Sequence, residues 1–169
     1  MKIKNLIIYI LRYFSIILTK YKVSKKINFG SKISNKFFQK NLKKSKFYLE
    51  YGSGNSTLLA KYYKKKFISI EADKSFYNYL KFNKKINQLR YINIGPTKYF
   101  SFPILPLFLI NNKINFYCNF IKKFYSEKKV IPDLILIDGR FRVCVCLNII
   151  KFLVLKKVTK KIIIIIDDY

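Results

Sequence analysis

Apolar residues in this chain fall into short blocks separated by polar, mostly lysine-rich stretches. Nearly continuous apolar runs predict strands over residues 47–50, 66–70, 89–94, 133–138 and 162–166. A segment with helical spacing precedes them at 34–42 and others lie between them at 56–63, 74–82, 114–125 and 142–155, with Asp73 placed to cap the helix at 74–82. Residues 20–46 are lysine-rich and broken by Gly30 before their helix. Gly95-Pro96 ends the third strand and opens a loop over 95–107 that carries Pro96, Pro103 and Pro106. Buried strands alternating with helices predict an α/β fold, a three-layer sandwich around a mostly parallel sheet. Residues 1–46 are expected to form a basic N-terminal helical arm and residues 47–169 the sheet domain.

In such sheets ligands bind beyond the carboxyl ends of the strands. Glu50, Glu71, Asp138, Asp167 and Asp168 all sit at those predicted ends, in a chain with only 8 acidic residues. A site explains that clustering better than surface decoration does. The first strand runs into Glu50-Tyr51-Gly52-Ser53-Gly54 and then into a helix beginning near Ser56. Glycines there permit a tight turn and close backbone approach, and the helix offers its N-terminal N–H groups to a nucleotide-like ligand. A plain strand–turn–helix connection would look similar. Glu71, about twenty residues on and after a second strand, stands where a ribose-binding carboxylate is expected.

Charge alters this picture less than its size suggests. There are 35 basic residues and a net charge of +27. An anionic partner, nucleic acid or a membrane surface, is one reading. However, Lys, Ile, Asn, Tyr and Phe are enriched together, Ala is scarce, and Trp and His are absent, as A+T-rich codons would produce. The lysines are also spread along the chain instead of grouped as a binding tail. Without histidine there is no Ser-His-Asp or Cys-His unit, so any general base is a carboxylate, Lys or Tyr. Cys118, Cys144 and Cys146 lack metal-ligand spacing and read as thiols in a reducing, cytoplasmic compartment. Residues 1–18 are apolar but interrupted by Asn5 and Arg12, which suits a helix on a membrane surface or one packed on the domain.

With these residues in place, the chain from 47 onward resembles the S-adenosylmethionine-dependent methyltransferases of the Rossmann-like type. Glu50-Tyr51-Gly52-Ser53-Gly54 is similar to the family's E/D-x-G-x-G loop, and Glu71 to the acidic residue that holds both ribose hydroxyls. Ile94-Gly95-Pro96-Thr97 and Ile137-Asp138-Gly139-Arg140-Phe141-Arg142 resemble segments of a bacterial methyltransferase-like group. The resemblance implies S-adenosylmethionine as cofactor, with Glu50, Gly52, Gly54, Ser56 and Glu71 around it. Ser56 stands where the family often has a third glycine. Asp138 is then the candidate base and Arg140, with Arg142, a holder of an acidic acceptor; an ion pair between Asp138 and an arginine is the plainer alternative. The implied reaction moves a methyl group to an oxygen or nitrogen nucleophile. The other class of function is a non-catalytic methyltransferase-like protein meeting nucleic acid or, through its N-terminal segment, a membrane.

Asp138, Asp167 and Asp168 on adjacent strands about 4.8 Å apart also admit a divalent cation such as Mg²⁺. Strand-end aspartates commonly cap loops instead, and no metal ligand is assigned. The family's sheet usually continues with two further strands. Without them, the strand at 162–166 is expected to keep an open edge.

Overall fold

The computed structural model describes residues 24–97 and 102–167, together with Ile7 and Leu11. The rest of residues 1–18, Asp168 and Tyr169 lie outside the described residues. Five strands form one sheet: β1 (Tyr48–Tyr51), β2 (Phe67–Glu71), β3 (Leu89–Tyr91), β4 (Leu134–Ile137) and β5 (Ile163–Ile166). Their order is β3-β2-β1-β4-β5, and every pairing is parallel. The strand order reverses between β1 and β4, which opens a crevice above that pair.

Strand alternation sends side chains to two separate cores. Leu49, Tyr51, Ile68, Ile70, Ile135 and Ile137 face one side. There they meet α4 (Leu107–Cys118), α5 (Phe120–Lys128) and α6 (Arg142–Leu155). Tyr48, Phe67, Leu89, Leu134 and Leu136 face the other side, under α1 (Lys32–Lys44), α2 (Asn55–Tyr62) and α3 (Lys74–Asn83). Helices on both faces of a parallel sheet make the Rossmann-like three-layer arrangement. Phe38 and Leu42 of α1 are fully buried in the second core, so the lysine-rich segment contributes to the packing. Among the described residues, no helix is long and apolar enough to cross a membrane.

The predicted elements shift where neighbours decide. β3 stops at Tyr91 and does not reach residue 94, because its partner β2 ends at Glu71. The last bond of that pair runs from Ile92 N–H to the Glu71 carbonyl at 2.9 Å. The helix expected at 114–125 is two helices. Asn119 (φ −95°, ψ 9°) breaks it, and α4 starts earlier, directly after an extended Pro106. Its first turn was hidden from pattern reading because Leu107, Phe108 and Leu109 are all exposed, so apolar character there does not mark a buried face. Asp73 caps α3 as expected, its Oδ1 accepting from Ser75 N–H at 2.9 Å.

The basic composition shows in how the chain ends its helices and satisfies its ammonium groups. Lys64, Lys85, Lys129 and Lys157 take left-handed backbone conformations just beyond α2, α3, α5 and α6, positions where glycine is the unstrained residue. Lys85→Gly and Lys157→Gly should each stabilise the fold by about 0.5–1 kcal/mol. The check is a higher urea midpoint at unchanged slope. With so few carboxylates, lysines find other partners. Lys61 Nζ donates to the Lys84 and Lys85 carbonyls at 2.8 and 2.9 Å, and Lys25 lies 3.9 Å from the centre of the Tyr62 ring.

Candidate functional site

The crevice between β1 and β4 is bounded by the loop from Gly52 to Gly54 and the turn from Asp138 to Phe141. The two glycines of the first loop behave differently. Gly52 has φ +89°, and a Cβ there would lie 2.6 Å from the Asp138 carbonyl carbon and oxygen and from Gly139 N. Its missing side chain is filled by the protein's own backbone. Gly54 has an extended backbone (φ 177°), and a Cβ there would meet nothing within 4 Å. Neither its conformation nor the packing requires glycine, and the space at its Cβ position is open.

Glu50 is wholly buried on β1. Register places it beside Ser69 of β2, on the face that α2 covers. Its Oε1 accepts from Ser56 Oγ and from Tyr48 Oη at 3.0 Å, and its Oε2 accepts from Thr57 Oγ1 at 2.6 Å. Thr57 Oγ1 in turn accepts from Gly54 N–H at 2.8 Å, and Ser53 Oγ contacts Ser69 Oγ at 2.8 Å. Glu50 thus anchors the start of α2 through Ser56 and Thr57, and Thr57 ties the glycine loop to that helix. Burial raises the Glu50 carboxyl above its ordinary range, against the opposing pull of the hydroxyls that bond it.

Glu71 ends β2 and is almost fully buried. Its Oε1 accepts from Ala72 and Asp73 N–H at 2.8 and 2.7 Å, and its Oε2 from Ser53 N–H at 3.2 Å. The carboxylate therefore sits against the same loop that carries Gly54, brought there by the β1–β2 pairing. Thr57, Ser53 and Ser69 belong to this assembly and are not among the site residues expected from the sequence. The available signal was Ser69 itself, a lone hydroxyl in an otherwise apolar strand, two residues before Glu71.

Asp138 follows β4, its N–H donating to the Tyr51 carbonyl at 2.8 Å. Arg142 Nη2 lies 3.2 Å from Asp138 Oδ1, while Arg142 Nη1 donates to the Asp167 carbonyl at 2.7 Å and Nε to the Gly139 carbonyl at 3.2 Å. The ion-pair alternative therefore describes Arg142, which clasps the ends of β4 and β5. It also bears on metal. Among the described residues no three carboxylate or thiol groups converge, and a guanidinium spans Asp138 and the Asp167 backbone. That arrangement does not suit a divalent cation, and Asp168 lies outside the described residues.

Arg140 turns the other way. Its guanidinium carbon lies 3.9 Å from the centre of the Phe102 ring, in the wall of a cavity of about 510 Å³. Burial, and then the charge of Arg142, lowers its pKa from the ordinary value. Phe141 adopts a left-handed conformation (φ 56°) that is uncommon for an aromatic residue, and such strain concentrates at functional turns. Tyr117 of α4 supports this turn. A Cβ on Gly139 would fall on Tyr117 Oη, and the Tyr117 ring meets Tyr51 and Phe141 edge-on at 5.5 and 6.3 Å.

No family model matches the chain, and no curated protein matches it. A solved structure does: a methyltransferase-like protein from Silicibacter pomeroyi superposes with a TM-score of 0.64 at 24% identity. The match covers 79% of this chain and 69% of that one. The likeness establishes a methyltransferase-like fold.

Proposed function

We propose that this chain is an S-adenosylmethionine-dependent methyltransferase acting on an oxygen or nitrogen nucleophile, in a reducing cytoplasmic compartment that suits its free thiols. The observation that carries the reading is Gly54. It is a glycine that its own fold does not need, on a loop tied through Thr57 to Glu50, beside the buried carboxylate of Glu71 and at the reversal of strand order. The group bound there would supply an electrophilic methyl on a sulfonium. Glu71 would hold the ribose hydroxyls, since a carboxylate accepts two hydrogen bonds at once. Gly52 and Gly54 would allow close approach, with Glu50 and Ser56 anchoring the start of α2, to which Thr57 ties the loop. Asp138 would take the acceptor's proton, its orientation set by Arg142. Positioning would be the main source of rate.

Calorimetry with S-adenosylmethionine and its demethylated product tests this reading. The wild type should bind, and Glu71→Ala should weaken binding by about 2 kcal/mol, roughly 30-fold. A Glu71→Ala chain with native circular dichroism and unchanged affinity removes the ribose assignment. A wild type that gives no heat with either compound leaves the non-catalytic reading, a methyltransferase-like protein that meets an anionic partner through its lysines.

A further inference from the structure

The cavity beside the crevice has a chemical character of its own. Phe102, Ile104, Leu105, Leu107 and Phe141 give it apolar walls, and Arg140 is the cation among the described lining residues. Its volume of about 510 Å³ lies within the range of small-molecule sites. The walls are built in advance. Ile104 N–H bonds the Pro96 carbonyl at 2.9 Å, Thr97 pairs with Pro103, and Gly95 lets Ile110 come within 3.3 Å of where its Cβ would be. Phe102 and Leu107 are each more than half exposed despite this ordering, so the fold holds apolar surface open to solvent at the cavity mouth.

We propose that this cavity takes an amphiphilic anion, an acyl or aryl carboxylate whose apolar body lies against Phe102, Leu105 and Phe141 and whose charged group meets Arg140. Among the described lining residues one cation stands on an apolar wall, and that pattern discriminates among ligand classes. Polyphosphates and nucleic acid need several cations and hydrogen-bond donors, which the described lining residues do not offer. An amine would face Arg140 in a chain of net charge +27. A monoanion gains a charge-assisted bond to a guanidinium that is partly withdrawn from water and already oriented by the Phe102 ring. The cavity wall begins two residues after Asp138, whose backbone abuts Gly52. On the methyl-transfer reading, with which this inference joins, the occupant is the acceptor: Arg140 holds its carboxylate, and a separate hydroxyl or amine group on it is the nucleophile whose proton Asp138 would take.

Monomeric decanoate is a suitable probe, with acetate as the headgroup control and decyl maltoside as the uncharged-tail control. Calorimetry should show one decanoate per chain and much weaker heats for both controls. Arg140→Gln and Phe102→Ser, each checked by circular dichroism, should weaken decanoate by about tenfold. Leu147→Ser, on the outer face of α6, should leave it unchanged. Maltoside binding as tight as decanoate, many decanoates per chain, or an unchanged affinity in both cavity variants would overturn the proposal. Binding to phosphatidylglycerol vesicles without binding to the monomer would overturn it too, by making the surface a membrane contact. Titration with the demethylated cofactor product separates the two ideas. Decanoate heat without cofactor heat upholds the cavity and removes the methyl-transfer reading, and the reverse result removes the cavity alone.

Discussion

Gly52→Ala should destabilise the fold by about 3 kcal/mol or more, while Gly54→Ala should leave stability within about 0.5 kcal/mol of the wild type. At Gly52 two penalties add. The residue holds φ +89°, which an L side chain rarely adopts, and its Cβ would sit 2.6 Å from three backbone atoms of Asp138 and Gly139. Backbone cannot move aside as a flexible side chain can, so β1 and β4 would have to separate where the strand order reverses. At Gly54 the extended conformation suits any residue and the Cβ enters empty space. Its expected effect is on binding. Gly54→Val should abolish calorimetric heat with S-adenosylmethionine in a chain whose thermal midpoint is unchanged. Equal stability losses at the two glycines would refute the distinction.

Glu50→Ala should cost about 3 kcal/mol, and Glu50→Gln far less. Alanine removes the acceptor for Tyr48, Ser56 and Thr57 at once and leaves a cavity under the loop. Glutamine keeps the shape and an acceptor oxygen, and the hydroxyls can rotate to receive its amide protons. The comparison carries a pH signature. Burial raises the folded-state pKa of Glu50 above its unfolded value of about 4.3, so the folded chain holds this proton more tightly than the unfolded one. The resulting stability is fully present below about pH 4.3 and is lost as pH rises through the raised value. The thermal midpoint of Glu50→Gln minus that of the wild type should therefore increase across that window and then level off. A difference that is flat with pH would mean that Glu50 titrates normally.

The residue types that line the crevice were legible in the sequence, and their contacts were not. Carboxylates at strand ends, the Gly52 and Gly54 loop and the cap at Asp73 follow from local rules, because turns, caps and strand ends are short-range features. The roles assigned to individual residues depended on register. Glu50 and Glu71 look equivalent in sequence, each an acidic residue closing an apolar run. Glu50 is surrounded by hydroxyls from Tyr48, Ser56 and Thr57, whereas Glu71 is surrounded by loop N–H groups. Arg140 and Arg142 are two residues apart, and only the start of α6 separates the one that clasps Asp138 from the one that lines the cavity.

The sequence by itself determined that this is a parallel α/β sandwich. Apolar runs with intervening helices have few other ways to bury both faces of each strand, and the bounds of α6 could be read directly from its apolar span. Tertiary structure decided everything that depends on which strands become neighbours. It ended β3 at Tyr91, drew α1 into the core through Phe38 and Leu42, and gave Gly52 to the backbone of β4 while leaving Gly54 open. The physical reason is range. Periodicity and turn chemistry act over a few residues, whereas the contact between Gly52 and Asp138 spans most of the domain and exists only once β1 and β4 have paired.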